Sequence, residues 1–134
     1  MAWRSRSKKR QQAKKLGFRS GFEADVATTL TEDKIKYGYE TMQITYVVPE
    51  VSRSYTPDFI LPNNVIIEAK GRWTIEDRKK HLLIKKQHPT LDIRIVFQNA
   101  NTKIRKGSKT TYGNFCDKHG IIWANKEIPK SWYK

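Results

Sequence analysis

The stretch TPDFILPNNVIIEAKG, Thr56 to Gly71, commits this chain to a tight antiparallel pair of strands. Two apolar runs of strand length flank Pro62-Asn63-Asn64, a set of turn-forming residues. A three-residue loop wants a left-handed backbone at its last position, which Asn64 tolerates better than most residues. Leu61 then faces Val65, and continuing the register outward brings Asp58 opposite Glu68. Directly opposed side chains have Cβ atoms about 4.5–5.5 Å apart. Lys70 projects from the same face as Glu68, about 6.6 Å further along the strand. The other face sends Phe59, Ile67 and Ala69 into the core.

Two opposed carboxylates repel, so stability alone does not select them. A divalent cation removes the conflict, because Mg²⁺ is usually held by one or two carboxylates with water and phosphate completing its shell. A metal held there polarises a phosphodiester and acidifies an attacking water. Lys70 then orients that water, takes its proton, or steadies charge building on phosphate. A purely structural reading stands beside this one. Asp58 after Pro57 also suits a turn, and Glu68 with Lys70 also suits an exposed pair on an edge strand. A one-residue slip of the turn would put Asp58 and Glu68 on opposite faces.

Around the hairpin, Phe22, Val26 and Leu30 recur at helical spacing and predict a helix over 21–36. An extended segment, Met42 to Val48, ends at Pro49. The hairpin arms span Tyr55–Leu61 and Val65–Lys70. Thr74 caps a second helix that runs to His88 and stops before Pro89. Leu91, Ile93, Ile95 and Phe97 alternate with more polar neighbours, the pattern of a half-buried strand. Residues 98–110 form a basic loop, a helix over 111–119 ends at Gly120, and 121–124 is a last strand. The order αβββαβαβ describes an α/β fold, a mixed β-sheet flanked by helices.

The net charge of +14 points to a polyanionic partner. Residues 1–20 hold eight Lys and Arg and no acid, which suits a flexible basic arm lying along nucleic-acid phosphate. The remainder, 21–134, is long enough for one domain of about this size and too short for two. Cys116 has no internal disulfide partner, so a reducing, cytoplasmic setting is expected, and no apolar run has the length of a membrane span.

Pro57-Asp58, Glu68-Ala69-Lys70 and the element order resemble the PD-(D/E)xK nuclease superfamily with its restriction-endonuclease-like fold. More closely, YTPDFILPNNVIIEAKGRW, EDRKKHLLIKKQHPTLDIRIVF and KGSKTTYGNFCDKHGI are similar to bacteriophage endonuclease I, a family of four-way (Holliday) junction resolvases. The resemblance runs from about Phe18 to Trp132. It implies a phosphodiesterase that uses Mg²⁺, with Mn²⁺ as a substitute, and cuts branched DNA. The matching catalytic positions are Asp58, Glu68, Lys70 and an acid on the first helix, Glu23, with Asp58, Glu68 and Glu23 as metal ligands. From the residues alone, Ser20-Gly21-Phe22-Glu23 reads as a capping box in which Glu23 bonds back to Ser20. The resemblance also implies a domain-swapped homodimer, its first helix exchanged between subunits through a bridge at 45–53, where Pro49 discourages a tight turn. Glu23 then acts on the partner's site. The Asn63-Asn64 turn departs from the glycine expected there, and the basic arm lies at the N-terminal end.

For DNA contact the candidates are Arg72, Arg78, Lys79, Lys80, Lys103, Arg105, Lys106 and Lys109, each also readable as a solvated surface charge. Phosphate contacts position a duplex without reading its sequence, so binding selective for structure is expected. His81 and His119 are weaker candidates: His81 reads as a packing or surface residue near enough to the strand end to touch a phosphate, and Trp73, Trp123 and Trp132 read as packing residues. Two rival readings remain: a related nuclease acting on ordinary duplex, and a basic nucleic-acid-binding protein without enzymatic activity. Acids set inside apolar strands argue against the second.

Overall fold

The computed structural model describes residues 17–48 and 51–134. Most of the expected basic arm, and residues 49 and 50 of the expected bridge, lie outside the described residues. Among the described residues, eleven elements follow one another as α1 Gly21–Glu32, β1 Gly38–Tyr39, β2 Ile44–Val48, β3 Val51–Tyr55, β4 Phe59–Ile60, β5 Ile66–Lys70, α2 Ile75–Gln87, β6 Ile93–Phe97, α3 Tyr112–His119, β7 Ile122–Asn125 and a 3-10 turn Lys130–Trp132. The main sheet has the order β1-β4-β5-β6-β7. Its first three strands pair antiparallel and its last three parallel, which makes the mixed sheet the sequence predicts.

The hairpin register is as expected. Phe59 pairs with Ile67 and Ile60 with Ile66, the Leu61 N–H donates to the Val65 carbonyl, and Asn64 takes the left-handed backbone at φ 69°. The first arm, however, is not one strand over 55–61. It breaks at Pro57-Asp58 into β3 and β4, since proline has no N–H to donate and Asp58 turns out of the ladder.

Three further differences have local causes. The first helix stops at Glu32, not at Lys36, because Lys34 adopts φ 58° and the Ile35 N–H reaches back to the Leu30 carbonyl. β6 is buried on both faces at Ile95, Val96 and Phe97, since it lies between β5 and β7 with helices above and below. Finally, β2 and β3 pair as their own antiparallel sheet, with Val48 opposite Val51.

The β2–β3 pair packs on α2 through Ile44, Tyr46, Tyr55 and Ile84. Its outer edge is met by side chains. Gln87 accepts from the Val47 N–H and donates to the Val47 carbonyl, both at 2.7 Å, and the His88 imidazole lies on the Thr45 carbonyl. A larger core lies between α1, the sheet and the C-terminal turn, where Leu30, Phe59, Ile67, Val96 and Trp132 meet. A third cluster joins Trp73, Phe97, Tyr112 and Cys116 under α3, which Thr111 caps at its start and the left-handed Gly120 at its end, the latter as the sequence predicts. No helix among the described residues is long and apolar enough to cross a membrane.

Candidate active site

β5 is the strand on which the site is built. Ile67 and Ala69 enter the core below α1, while Glu68 and Lys70 leave from the opposite face toward α2. Asp58 stands at the end of β4, where the ladder gives way. Its Oδ2 accepts the Ala69 N–H at 2.9 Å, so the carboxylate occupies the place a strand carbonyl would take. Its own carbonyl accepts the Glu40 N–H at 3.0 Å, which ties the loop after β1 to the same spot.

Three carboxylates converge there. One oxygen each from Glu23, Glu40 and Asp58 lie within 4.8 Å of one another. Glu23 is buried, and its Oε1 accepts from the Tyr39 hydroxyl at 2.5 Å. The capping-box alternative for Glu23 is half realised: Ser20 accepts the Glu23 N–H at 3.1 Å, but the carboxylate accepts the Tyr39 hydroxyl and, at 3.5 Å, the Ser20 hydroxyl, not the Ser20 N–H. Glu40 is exposed, has a left-handed backbone at φ 52°, and lies 3.6 Å from Arg19.

Glu68 faces the group from the other side. It is 5% exposed, accepts the Tyr55 hydroxyl at 2.7 Å and lies 3.6 Å from the Lys70 Nζ. Lys70 is also 3.6 Å from Asp77, which closes the capping box of α2 with Thr74. The ammonium thus bridges β5 and the first turn of the next helix.

The electrostatics follow from crowding. Burial, then the charges of Glu68 and Glu23, push the Asp58 carboxyl up to about 8, against the Ala69 hydrogen bond and Lys70. Burial also raises Glu68, opposed by Lys70 and by the Tyr55 hydroxyl. The Tyr55 phenol is raised by its own burial and by Glu68. Protons or a cation must compensate such a set, and hard oxygen donors of this kind suit Mg²⁺ or Mn²⁺.

The site therefore gathers Glu23, Asp58, Glu68 and Lys70 within one chain, including the Glu23 that the resemblance assigns to a partner's site. It adds Glu40, Tyr39, Tyr55 and Asp77. Of these, only Asp77 had a signal in the sequence, the Thr74-x-x-Asp77 capping spacing. Glu40 has none, since nothing local marks a loop acid with a left-handed backbone.

The basic residues divide. Arg72, Lys79, Lys103, Arg105, Lys106 and Lys109 are exposed, and Lys80 is half-buried with its Nζ 5.2 Å above the Tyr55 ring. Arg78 corrects the expectation of DNA contact. It is buried, donates to the Trp73 carbonyl at 2.8 Å and lies over the Phe115 ring, because its position on α2 faces the core. His81 packs, as expected: it is buried against Tyr55 and Trp73, and burial holds it neutral at about 3. The basic loop is an ordered excursion from the C-terminal end of β6, with Lys103 bridged to Thr111 and Gly107 at φ 82°.

Buried acids and one lysine gathered about β5, the central strand of a mixed, helix-flanked sheet, make this a candidate nuclease-type site. The chain belongs to the Phage endonuclease I family, which it matches over residues 1–134. It is 54% identical to Endonuclease I of Escherichia phage T7 over 122 residues, 90% of this chain and 82% of that protein. It is 55% identical to Endodeoxyribonuclease 1 of Enterobacteria phage T3 over 112 residues, 84% of this chain and 74% of that protein.

Proposed function

We propose that this endonuclease hydrolyses phosphodiesters at four-way (Holliday) junctions and other branched DNA, with Mg²⁺, or Mn²⁺ in its place, held by Asp58, Glu68 and Glu23. The observation that carries this reading is the set of buried carboxylates Glu23, Asp58 and Glu68, the first and last of which act by their charge on Asp58, beside Lys70. A cation bound there would withdraw charge from the phosphodiester and acidify the attacking water. Glu40 is a further oxygen donor within reach of the same ion.

Lys70 has an electrostatic role. Held between Glu68 and Asp77, it is aimed by two carboxylates and offers N–H donors to charge that grows on the phosphate. Tyr55 and the Ala69 N–H fix the orientation of Glu68 and Asp58, which keeps the donor set in place before substrate arrives. Arg72, Lys79, Lys80 and the loop cations Lys103, Arg105, Lys106 and Lys109 supply phosphate contacts around the branch point.

The working form is a homodimer with an exchanged N-terminal helix. Exchange of the segment before β3 would carry α1, β1 and β2 to a partner while leaving the contacts within each half intact. Two sites related by a twofold axis suit a junction, in which two strands are cut symmetrically.

Cleavage of a labelled four-way junction beside a linear duplex of the same arm sequence, in Mg²⁺, tests the reading. Paired cuts near the branch, lost in EDTA and in Glu68→Ala, are expected. Equal cutting of both DNAs would leave a nuclease acting on ordinary duplex. Binding without cutting would leave a non-enzymatic DNA-binding protein.

A further inference from the structure

Asp58, Glu68 and Glu23 each have one carboxylate oxygen fixed by a donor from the protein. The Asp58 Oδ2 accepts the Ala69 N–H at 2.9 Å, the Glu68 Oε2 accepts the Tyr55 hydroxyl at 2.7 Å, and the Glu23 Oε1 accepts the Tyr39 hydroxyl at 2.5 Å. Hydroxyl-to-carboxylate contacts of about 2.5–2.7 Å are charge-assisted and among the strong hydrogen bonds. The two tyrosines are themselves held. The Tyr39 oxygen accepts the Arg19 N–H at 3.1 Å, which leaves its own proton for Glu23. Tyr55 is buried, with the His81 ring 5.4 Å from its own and the Lys80 Nζ 5.2 Å above it. The second oxygens of both glutamates are held more loosely. Lys70 lies 3.6 Å from the Glu68 Oε1, and the Ser20 hydroxyl lies 3.5 Å from the Glu23 Oε2.

A carboxylate ligates an ion through one oxygen or through both. Chelation brings both oxygens to the same ion, so the group must turn away from a donor that already holds one of them. Ca²⁺ is large, takes about six to eight oxygens and often draws two from one carboxylate. Mg²⁺ demands near-octahedral geometry and takes one or two carboxylates with water in the remaining positions. Acids restricted to one free oxygen each therefore suit the smaller ion. Hydrogen bonds to the outer atoms of ligands tune metal affinity in this way.

We propose that Tyr55 and Tyr39 are positioning residues that hold Glu68 and Glu23 as one-oxygen ligands, and so bias the site toward Mg²⁺ or Mn²⁺ and against Ca²⁺. The inference rests on the metal reading above and deepens it. Each tyrosine lies in the same half of the chain as its acid, Tyr39 with Glu23 before β2 and Tyr55 with Glu68 from β3 onward. The two locks therefore hold whether a site is completed within one chain or by exchange.

Titration calorimetry of the full chain without DNA, with Mg²⁺ and with Ca²⁺, tests this for wild type, Tyr55→Phe, Tyr39→Phe and Tyr112→Phe. Phenylalanine keeps each ring and removes only the hydroxyl. The Tyr112 hydroxyl accepts the Trp73 N–H at 3.2 Å and serves no acid of the site, so its loss is the structural control. Thermal melting in EDTA shows which variants fold, and Tyr39→Phe carries the test alone if Tyr55→Phe does not. Tyr55→Phe is expected to weaken Mg²⁺ binding about tenfold while Ca²⁺ binding is kept or strengthened. Tyr39→Phe should move the ratio in the same direction, and Tyr112→Phe should keep the wild-type ratio. An equal loss of both cations in the two site variants, or the same shift in Tyr112→Phe, would overturn the locks and leave the metal site standing. Wild type that binds neither cation would overturn the metal reading itself, and the locks with it.

Discussion

The Asp58 carboxylate accepts the Ala69 N–H at 2.9 Å, so one acid both completes the β4–β5 ladder and faces the site. An asparagine would make the same hydrogen bond without the charge. Asp58 is held at about 8 in the fold against 3.8 when unfolded, so between those values the folded chain binds the extra proton. Stability in EDTA therefore falls as pH rises across that window. Asp58→Asn should raise the stability of the metal-free protein at pH 8 by on the order of 2 kcal/mol and lower kcat about a thousandfold. Thermal melting in EDTA with a cleavage assay checks both, and a lower Tm at pH 8 would count against the buried-charge account.

His81 supplies the acid limb. Its folded value of about 3 lies below the unfolded 6.5, so the unfolded chain binds more protons between them. The contribution is complete above 6.5 and is lost as pH falls, at up to about 1.4 kcal/mol per pH unit. His81→Phe should flatten the fall in stability between pH 6.5 and 4 relative to wild type. Parallel denaturation curves across that range would show that another group governs acid unfolding.

Asp77 holds Lys70 from the first turn of α2. Asp77→Asn should cost about 0.5–1 kcal/mol as an altered cap and lower kcat about tenfold with KM little changed. An unchanged kcat would leave Asp77 a helix cap and nothing more.

Both Glu23 and Glu40 precede β2 and β3 in the chain, while Asp58, Glu68 and Lys70 follow them. An exchanged dimer must move the two acids together. Mixing Glu23→Ala with Glu68→Ala chains should restore one competent centre per heterodimer, and Glu40→Ala should complement Glu68→Ala in the same way. No recovery from either mixture would favour sites completed within one chain.

Arg78 and the basic loop should part company in salt. Replacing Lys103, Arg105, Lys106 and Lys109 by alanine should reduce the slope of log K against log salt by about 0.9 per lost phosphate contact. Arg78→Ala should leave that slope alone and lower the Tm, because its guanidinium is spent on Trp73 and Phe115. A changed slope in Arg78→Ala would return it to the DNA surface.

The readable part of this site was the part encoded by alternation and turn chemistry. The left-handed Asn64 set the hairpin register, and that register places Asp58 near Glu68 and Lys70. The sequence was silent where the partners are remote: Tyr39 on Glu23, Tyr55 on Glu68 and Glu40 beside both acids depend on how separate segments meet. The pairing of β2 with β3 was not legible either, because it is decided by the whole β2–β3 face against α2 and not by any one residue. Arg78 misled because charge says nothing of which side of a helix it is on.

Gln87 stands in for a neighbouring strand along β2, since its amide meets both backbone groups of Val47. Main-chain pairing of an edge yields only when a whole strand peels away. A side chain withdraws by rotating a few bonds, so the margin of this small sheet is sealed by a stopper that leaves the fold intact when it is drawn.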